Sequence, residues 1–331
     1  MDPSVSSPSF ASSSSSSSSW FPGIFRSRSG KSGSAGGGSL PVMASADGMP
    51  GSRKNQLRGY LFKYGSKSIQ GIIHNQENLS LYRYLEPLSI ALENEKWSLV
   101  QPLLSSSYLG YGTSSLDQDA VELDQLIGHL INKENSEGVV LLGHSTGCQD
   151  IVHYLRTNSA FSKAVRGVIL QAPVSDREYR ATLPETAEMI DLAAKMIGEG
   201  RAMDLMPREA NPDAPITAYR SFCLMYHSLC AYTGDDDMFS SDLSDDQLRL
   251  RLGHLSNTPC QVIFSMADEY VPDYVDKKAL VERLCRAMGG AEKVEIEWGN
   301  HSLSNRVQEA VEAIMDFVKR EGPKGWDDPW S

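Results

Sequence analysis

Gly143-His144-Ser145-Thr146-Gly147 is the stretch of this 331-residue sequence best suited to covalent chemistry. It fits G-x-S-x-G, follows an apolar run at residues 139–142, and opens a helical pattern at 148–157. A five-residue pattern recurs by chance, but its placement between a strand and a helix is that of a nucleophile elbow. Small residues at 143 and 147 let the backbone of a tight turn pass close to its neighbours. The turn thrusts Ser145 Oγ out at the end of the strand. The helix start behind it offers unpaired N–H groups and a positive dipole end. The Thr146 backbone N–H is therefore a natural oxyanion donor. The competing reading is an ordinary Gly-bounded turn with a capping serine.

A serine hydroxyl is a poor nucleophile at neutral pH and needs a base. The histidines are His74, His129, His144, His153, His227, His254 and His301. Only His227, His254 and His301 lie downstream of the elbow's helix. His301 follows the apolar run 294–298 through Gly299-Asn300 and precedes the last helical pattern, which is a strand-end loop fit for a base. His227 and His254 lack a preceding strand. His144 reads as a turn residue and His153 as a helix-surface residue. An acid is needed to hold the imidazole in its tautomer. Asp268, after the run 262–266, is the first candidate, with the neighbouring Glu269 expected to point elsewhere. Asp176, one strand earlier, is the alternative acid.

These residues need a scaffold, and the pattern supplies one. Residues 57–64 and 68–73 read as early strands, and 79–94 as a helix with Leu81, Leu85, Leu88 and Leu92 at helical spacing. Residues 97–100 read as a buried strand. A helix follows at 117–132, with Asp117 as its cap, and 167–170 is a further strand. Short apolar strands alternating with amphipathic helices imply a mostly parallel sheet covered on both faces. The rhythm breaks after Pro173. Residues 175–257 read as a helical insertion, a candidate lid, with helices at 185–199 and 219–226. The acidic patch Asp235-Asp236-Asp237 through Asp245-Asp246 reads as a solvated loop. The rhythm resumes with a strand at 260–266, a helix at 274–288, a strand at 294–298 and a helix at 305–320.

The domain plan is a Ser/Gly-rich tail at 1–55, a catalytic domain at 56–322 and a short tail at 323–331. The first segment carries an unbroken serine run, Ser12 to Ser19, then Arg26, Arg28 and Lys31, with few acids. It is expected to be disordered, because it cannot bury enough apolar surface to offset its ordering entropy. The same composition fits an organelle transit peptide, so plastid and cytoplasm are both expected locations. The net charge of −11 argues against bulk electrostatic binding of nucleic acid. No apolar run approaches the ~18 residues of a membrane span. The cysteines Cys148, Cys223, Cys230, Cys260 and Cys285 stand apart, as reduced intracellular thiols would. No metal and no cofactor is expected.

Gly143 to Asp150 with His153-Tyr154-Leu155, Gln171 to Glu178, and Ser106-Ser107-Tyr108 with Gly110-Tyr111-Gly112 carry a resemblance. Over residues 79–317 the chain resembles a branch of the α/β-hydrolase superfamily found in plants and fungi, and within it the fungal esterases that hydrolyse ester-linked siderophores. The resemblance implies a Ser145, Asp268 and His301 triad and a small-molecule ester substrate. It does not carry over the siderophore itself, since substrate choice lives in loops and insertions. One region departs from the pattern. The second oxyanion donor normally comes from a Gly-rich loop after an early strand. Here residues 72–78 hold no glycine pair, and a strand is missing before the first helix. The backbone N–H of Asn75 or Gln76 is the candidate substitute. Losing one donor costs about 3 kcal/mol, or ~100-fold in rate. The alternative reading is therefore a weak or inactive hydrolase-fold protein that binds a ligand or partner.

Overall fold

The computed structural model describes residues 20–27, 61–64, 69–72, 83–212, 214–225 and 237–322. Alternating burial along single strands builds the two faces of its sheet. In β5 (Val139–His144), Val139 and Leu141 join one core, and Val140 and Leu142 the other. β6 (Val165–Gln171) and β7 (Cys260–Ser265) split the same way: Val168, Leu170, Val262 and Phe264 face one side, and Ile169 and Ile263 the other. Both faces are thus apolar, as the continuous runs in the sequence require. α2 (Leu116–Asn132), α3 (Thr146–Thr157) and α8 (Lys277–Ala287) cover the first face. α1 (Leu85–Asn94) and α9 (Val307–Glu321) cover the second. Phe317 of α9 packs there fully buried, against a strand opened for it by Gly167.

Among the described residues eight strands run β2-β3-β4-β1-β5-β6-β7-β8 across the sheet. β5, β6, β7 and β8 (Glu292–Ile296) pair in parallel. Their C-terminal ends therefore lie on one edge. β1 (Trp20–Ser27) sits between β4 (Trp97–Pro102) and β5, antiparallel to both. β2 (Leu61–Tyr64) and β3 (Ile69–Ile72) extend the sheet beyond β4, also antiparallel.

β1 corrects one expectation. It lies inside the segment read as a structureless tail, and it occupies the centre of the sheet. A strand needs only a few residues that can extend and pair. Pairing on both sides satisfies its backbone groups and offsets the poor apolar content of the surrounding segment. The missing early strand is thus made up from the N-terminal side. The rest of the 1–55 tail and the 323–331 tail lie outside the described residues.

The insertion also differs from its expected form. After the short α4 (Asp176–Ala181), α5 (Thr186–Gly198) and α6 (Ala218–Met225) close a small core of their own with Tyr111, Ala193, Met196, Met206 and Ile216. The later part does not. Met238, Phe239, Leu243, Leu248, Leu252 and Leu255 belong to the main core, with α7 (Asp245–Leu252) among them. The acidic patch is not simply a solvated loop. Asp237 is buried and accepts Arg177 Nε at 2.8 Å and Ser175 Oγ at 3.0 Å. A carboxylate at this depth needs such partners. Asp235, Asp236 and His227 lie outside the described residues. Helix α2 is capped by Ser115, whose Oγ accepts the Gln118 N–H, and not by Asp117, which binds His153 Nε2 at 2.7 Å. Among the described residues no helix is long and apolar enough to cross a membrane.

A prediction follows from β1. Deleting residues 1–27 unpairs β4 and β5 in mid-sheet, whereas deleting residues 1–19 leaves both ladders intact. The longer deletion is expected to lose its cooperative thermal transition or to lower Tm by more than about 10 °C. The shorter one should melt like the full chain. Identical melting of the two would show that β1 is dispensable.

Candidate active site

The elbow forms where β5 hands over to α3. Ser145 sits at φ 53°, ψ −124°, outside the ordinary basins of an L-residue. Such a conformation costs on the order of 1–3 kcal/mol and persists only where its surroundings enforce it. They do so here. A Cβ on Gly143 would stand 2.5 Å from the Gly147 carbonyl oxygen, so only glycine lets strand and helix cross this closely. Every residue from 138 to 152 is buried except Ser145. The Thr146 N–H stands at the start of α3, where helical N–H groups lack intrahelical acceptors.

His301 and Asp268 meet at the same edge. His301 Nδ1 lies 2.8 Å from Asp268 Oδ2. Asp268 Oδ1 accepts the Tyr270 N–H at 2.9 Å, and its backbone oxygen accepts Lys277 Nζ at 2.8 Å. Both side chains are nearly excluded from water, with His301 8% and Asp268 2% exposed. Asp176 opens α4 close enough to feel the charge of His301. Burial raises its carboxyl above the usual range, against Arg180, Arg220, Gln149 and His301, which act the other way. Nδ1 of His301 is already taken by Asp268.

Several groups around the histidine escaped the sequence reading. Glu269, expected to point elsewhere, turns back, and its Oε2 accepts the His301 backbone N–H at 2.9 Å. The Tyr270 ring leans on His301 with centroids 4.6 Å apart. His144, read as a turn residue, is the last residue of a strand. It is buried at the end of β5, its ring edge-on to His301 at 4.6 Å, and it is bonded through Nδ1 to Gln171 Oε1. Two unit positive charges at that separation repel by roughly 4 kcal/mol at an effective dielectric of about 20. Burial first, and then the charge of His301, hold the His144 imidazole well below its usual range, against the Gln171 bond. It therefore stays neutral beside a group able to become cationic. The signal in the sequence was the apolar strand before it, which buries whatever ends it.

Asn75 and Gln76 lie outside the described residues. The strand leading toward them, β3, is separated from β5 by β4 and β1. On that flank of the elbow the neighbouring strand is β1, with Trp20 opposite His144 and a register shift between Trp20 and Gly23. A cavity of about 560 Å³ opens at the start of α2, bounded by Ser105, His153, Met203, Thr217 and Arg220, and neither Ser145 nor His301 lines it. Among the described residues, Cys148, Cys223, Cys260 and Cys285 form no disulfide.

A parallel ladder with a strained serine turn after β5, a carboxylate after β7 and a histidine after β8 defines an α/β-hydrolase fold. The siderophore hydrolase EstB from Aspergillus fumigatus has this fold, with a TM-score of 0.62 and 27% identity over 81% of this chain and 98% of its own. The chain belongs to the DUF1749 family, described as a protein of unknown function, which matches residues 77–321. A UPF0613 protein of Schizosaccharomyces pombe is 33% identical over 250 residues, 70% of this chain and 75% of that protein. The fusarinine C esterase sidJ of Aspergillus fumigatus is 31% identical over 255 residues, 62% of this chain and 72% of its own.

The neutral His144 sets a pH dependence. In the unfolded chain a histidine titrates near 6.5. Below roughly that pH, unfolding takes up a proton that the folded state refuses, so stability falls with falling pH. His144→Asn removes this contribution. Urea titrations at about pH 7.5 and 5.5 should show a smaller acid loss in the variant than in the parent. An equal loss would mean that His144 is protonated in the folded protein.

Proposed function

We propose that this chain is a serine hydrolase that cleaves a carboxylic ester through an acyl-enzyme. The observation that carries the reading is the Asp268–His301 hydrogen bond on the same sheet edge as the strained Ser145 turn. In this reading Ser145 Oγ attacks the ester carbonyl while His301 takes its proton. Asp268 holds His301 in the tautomer that leaves Nε2 free and stabilises the imidazolium. The Thr146 N–H receives the oxyanion. His301 then returns the proton to the departing alcohol, and water, activated by the same base, releases the acid and frees Ser145. No external cofactor enters these steps. The names of two relatives, an esterase and a siderophore hydrolase, support an ester as the substrate class.

A fluorophosphonate probe should label the protein, and Ser145→Ala should abolish both labelling and turnover of p-nitrophenyl acetate. Asp268→Asn should keep the fold and lower kcat by about 10⁴-fold. Labelling that survives in Ser145→Ala would rule out Ser145 as the nucleophile.

One observation favours a second reading, a slow or inactive hydrolase-fold protein that binds a ligand. β3, the strand before α1, is separated from β5 by β4 and β1, so the strand beside the serine turn on that flank is not the one that leads into α1. A broad ester panel separates the two. Ready turnover excludes the binding role, while none, together with ligand-dependent rises in Tm, supports it.

A further inference from the structure

Gln171, the last residue of β6, has no exposure to solvent, and the strand it ends carries no member of the proposed triad. It nevertheless touches both the serine turn and the histidine loop. Its carbonyl oxygen accepts the Ser145 N–H at 3.0 Å and the Cys148 thiol at 3.3 Å. Its side-chain Nε2 donates to the His301 carbonyl oxygen at 2.9 Å, and its Oε1 meets His144 Nδ1. The orientation of the amide is fixed by chemistry. A carbonyl oxygen only accepts, so the group facing His301 is the NH₂. Oε1 is then left for His144, which must carry its proton on Nδ1. Its ring is thereby turned edge-on to the ring of His301.

We propose that Gln171, acting with His144, is a positioning residue that sets the nucleophile against the base. The inference rests on the Ser145–His301 reading above. Ser145 and His301 arrive from β5 and β8, at opposite sides of the parallel ladder, and no ladder bond links their turns. Gln171 stands between them. Its main chain holds the serine turn, and its side chain holds the backbone of the histidine loop. His144 fills the space between the two and remains neutral, so His301 can take up a proton without facing a second cation. Misplacement of reacting groups by about 1 Å can cost ~10²-fold in rate, so a bond that fixes this spacing acts on the chemical step more than on substrate affinity.

The test uses the full chain and p-nitrophenyl acetate, with active sites counted by fluorophosphonate labelling carried to completion. Gln171→Met keeps the length of the side chain and removes both bonds. kcat per titrated site should fall roughly tenfold to a hundredfold, with KM changed less than about twofold. His144→Phe keeps a ring and removes the donor, so it tests the same link if Gln171→Met fails to fold. It should lower kcat in the same sense, and His144→Asn, which restores an N–H donor, should recover most of it. Gln171→Glu places a carboxylate against His144 Nδ1 and favours its cationic form, which changes the charge facing His301, so the acid limb of kcat/KM should shift from its parental position. The proposal is overturned if these variants lower only Tm or the number of titratable sites while kcat per site and the acid limb stay at parental values. Labelling that persists in Ser145→Ala would instead defeat the triad reading, a result distinct from either of these.

Discussion

Strands β5 to β8 hydrogen-bond in parallel, so every turn that leaves their C-terminal ends opens on one edge of the sheet. That single constraint lets residues as far apart in sequence as Ser145, Gln171, Asp268 and His301 share a neighbourhood. The ladder is held by apolar side chains that alternate between two cores. In β5 the side chains stay apolar from Val139 to Leu142, and at the C-terminal ends polar side chains appear together. The candidate site thus gathers where the apolar strands give way to turns, with His144, Gln171, Asp268 and His301 all buried there.

The fold was readable in the sequence wherever burial is two-sided. Runs such as Val139 to Leu142 and Val262 to Phe264 can only be interior strands, and helices such as α2 and α9 carry one apolar stripe each. The serine turn was readable because Gly143 and Gly147 are demanded by a backbone crossing that no other residue type permits. Strand order placed Asp268 and His301. The supporting groups were not readable. His144, Gln171 and Glu269 act through bonds to residues 27, 130 and 32 positions away, and no local pattern records such partners. Asp237 misled for a similar reason. Its neighbours in sequence are acids, but its partner in space is Arg177.

Local composition also failed at β1, where serine-rich flanks conceal a central strand. Sheet pairing is a long-range property, since a strand is stabilised by the two neighbours it finds more than by its own residues. β4 and β5 each present a full row of backbone groups to the gap between them, and a modest segment suffices to satisfy both. The insertion shows the complementary case. α5 and α6 close a small core with Tyr111, whereas residues 238–255 fold into the main core.

The central place of β1 also bears on how the chain is made. Ribosomes release Trp20–Ser27 before its partners, which emerge only with residues 97–102 and 139–144. Until β4 has left the exit tunnel β1 waits without a ladder, and until β5 follows it keeps one bare flank. Closing a loop of that length costs entropy before it returns any contact, which slows assembly and leaves extended edges open to other chains. A sheet whose middle is threaded by a segment made well before its neighbours therefore depends on that segment being kept from wrong partners during synthesis.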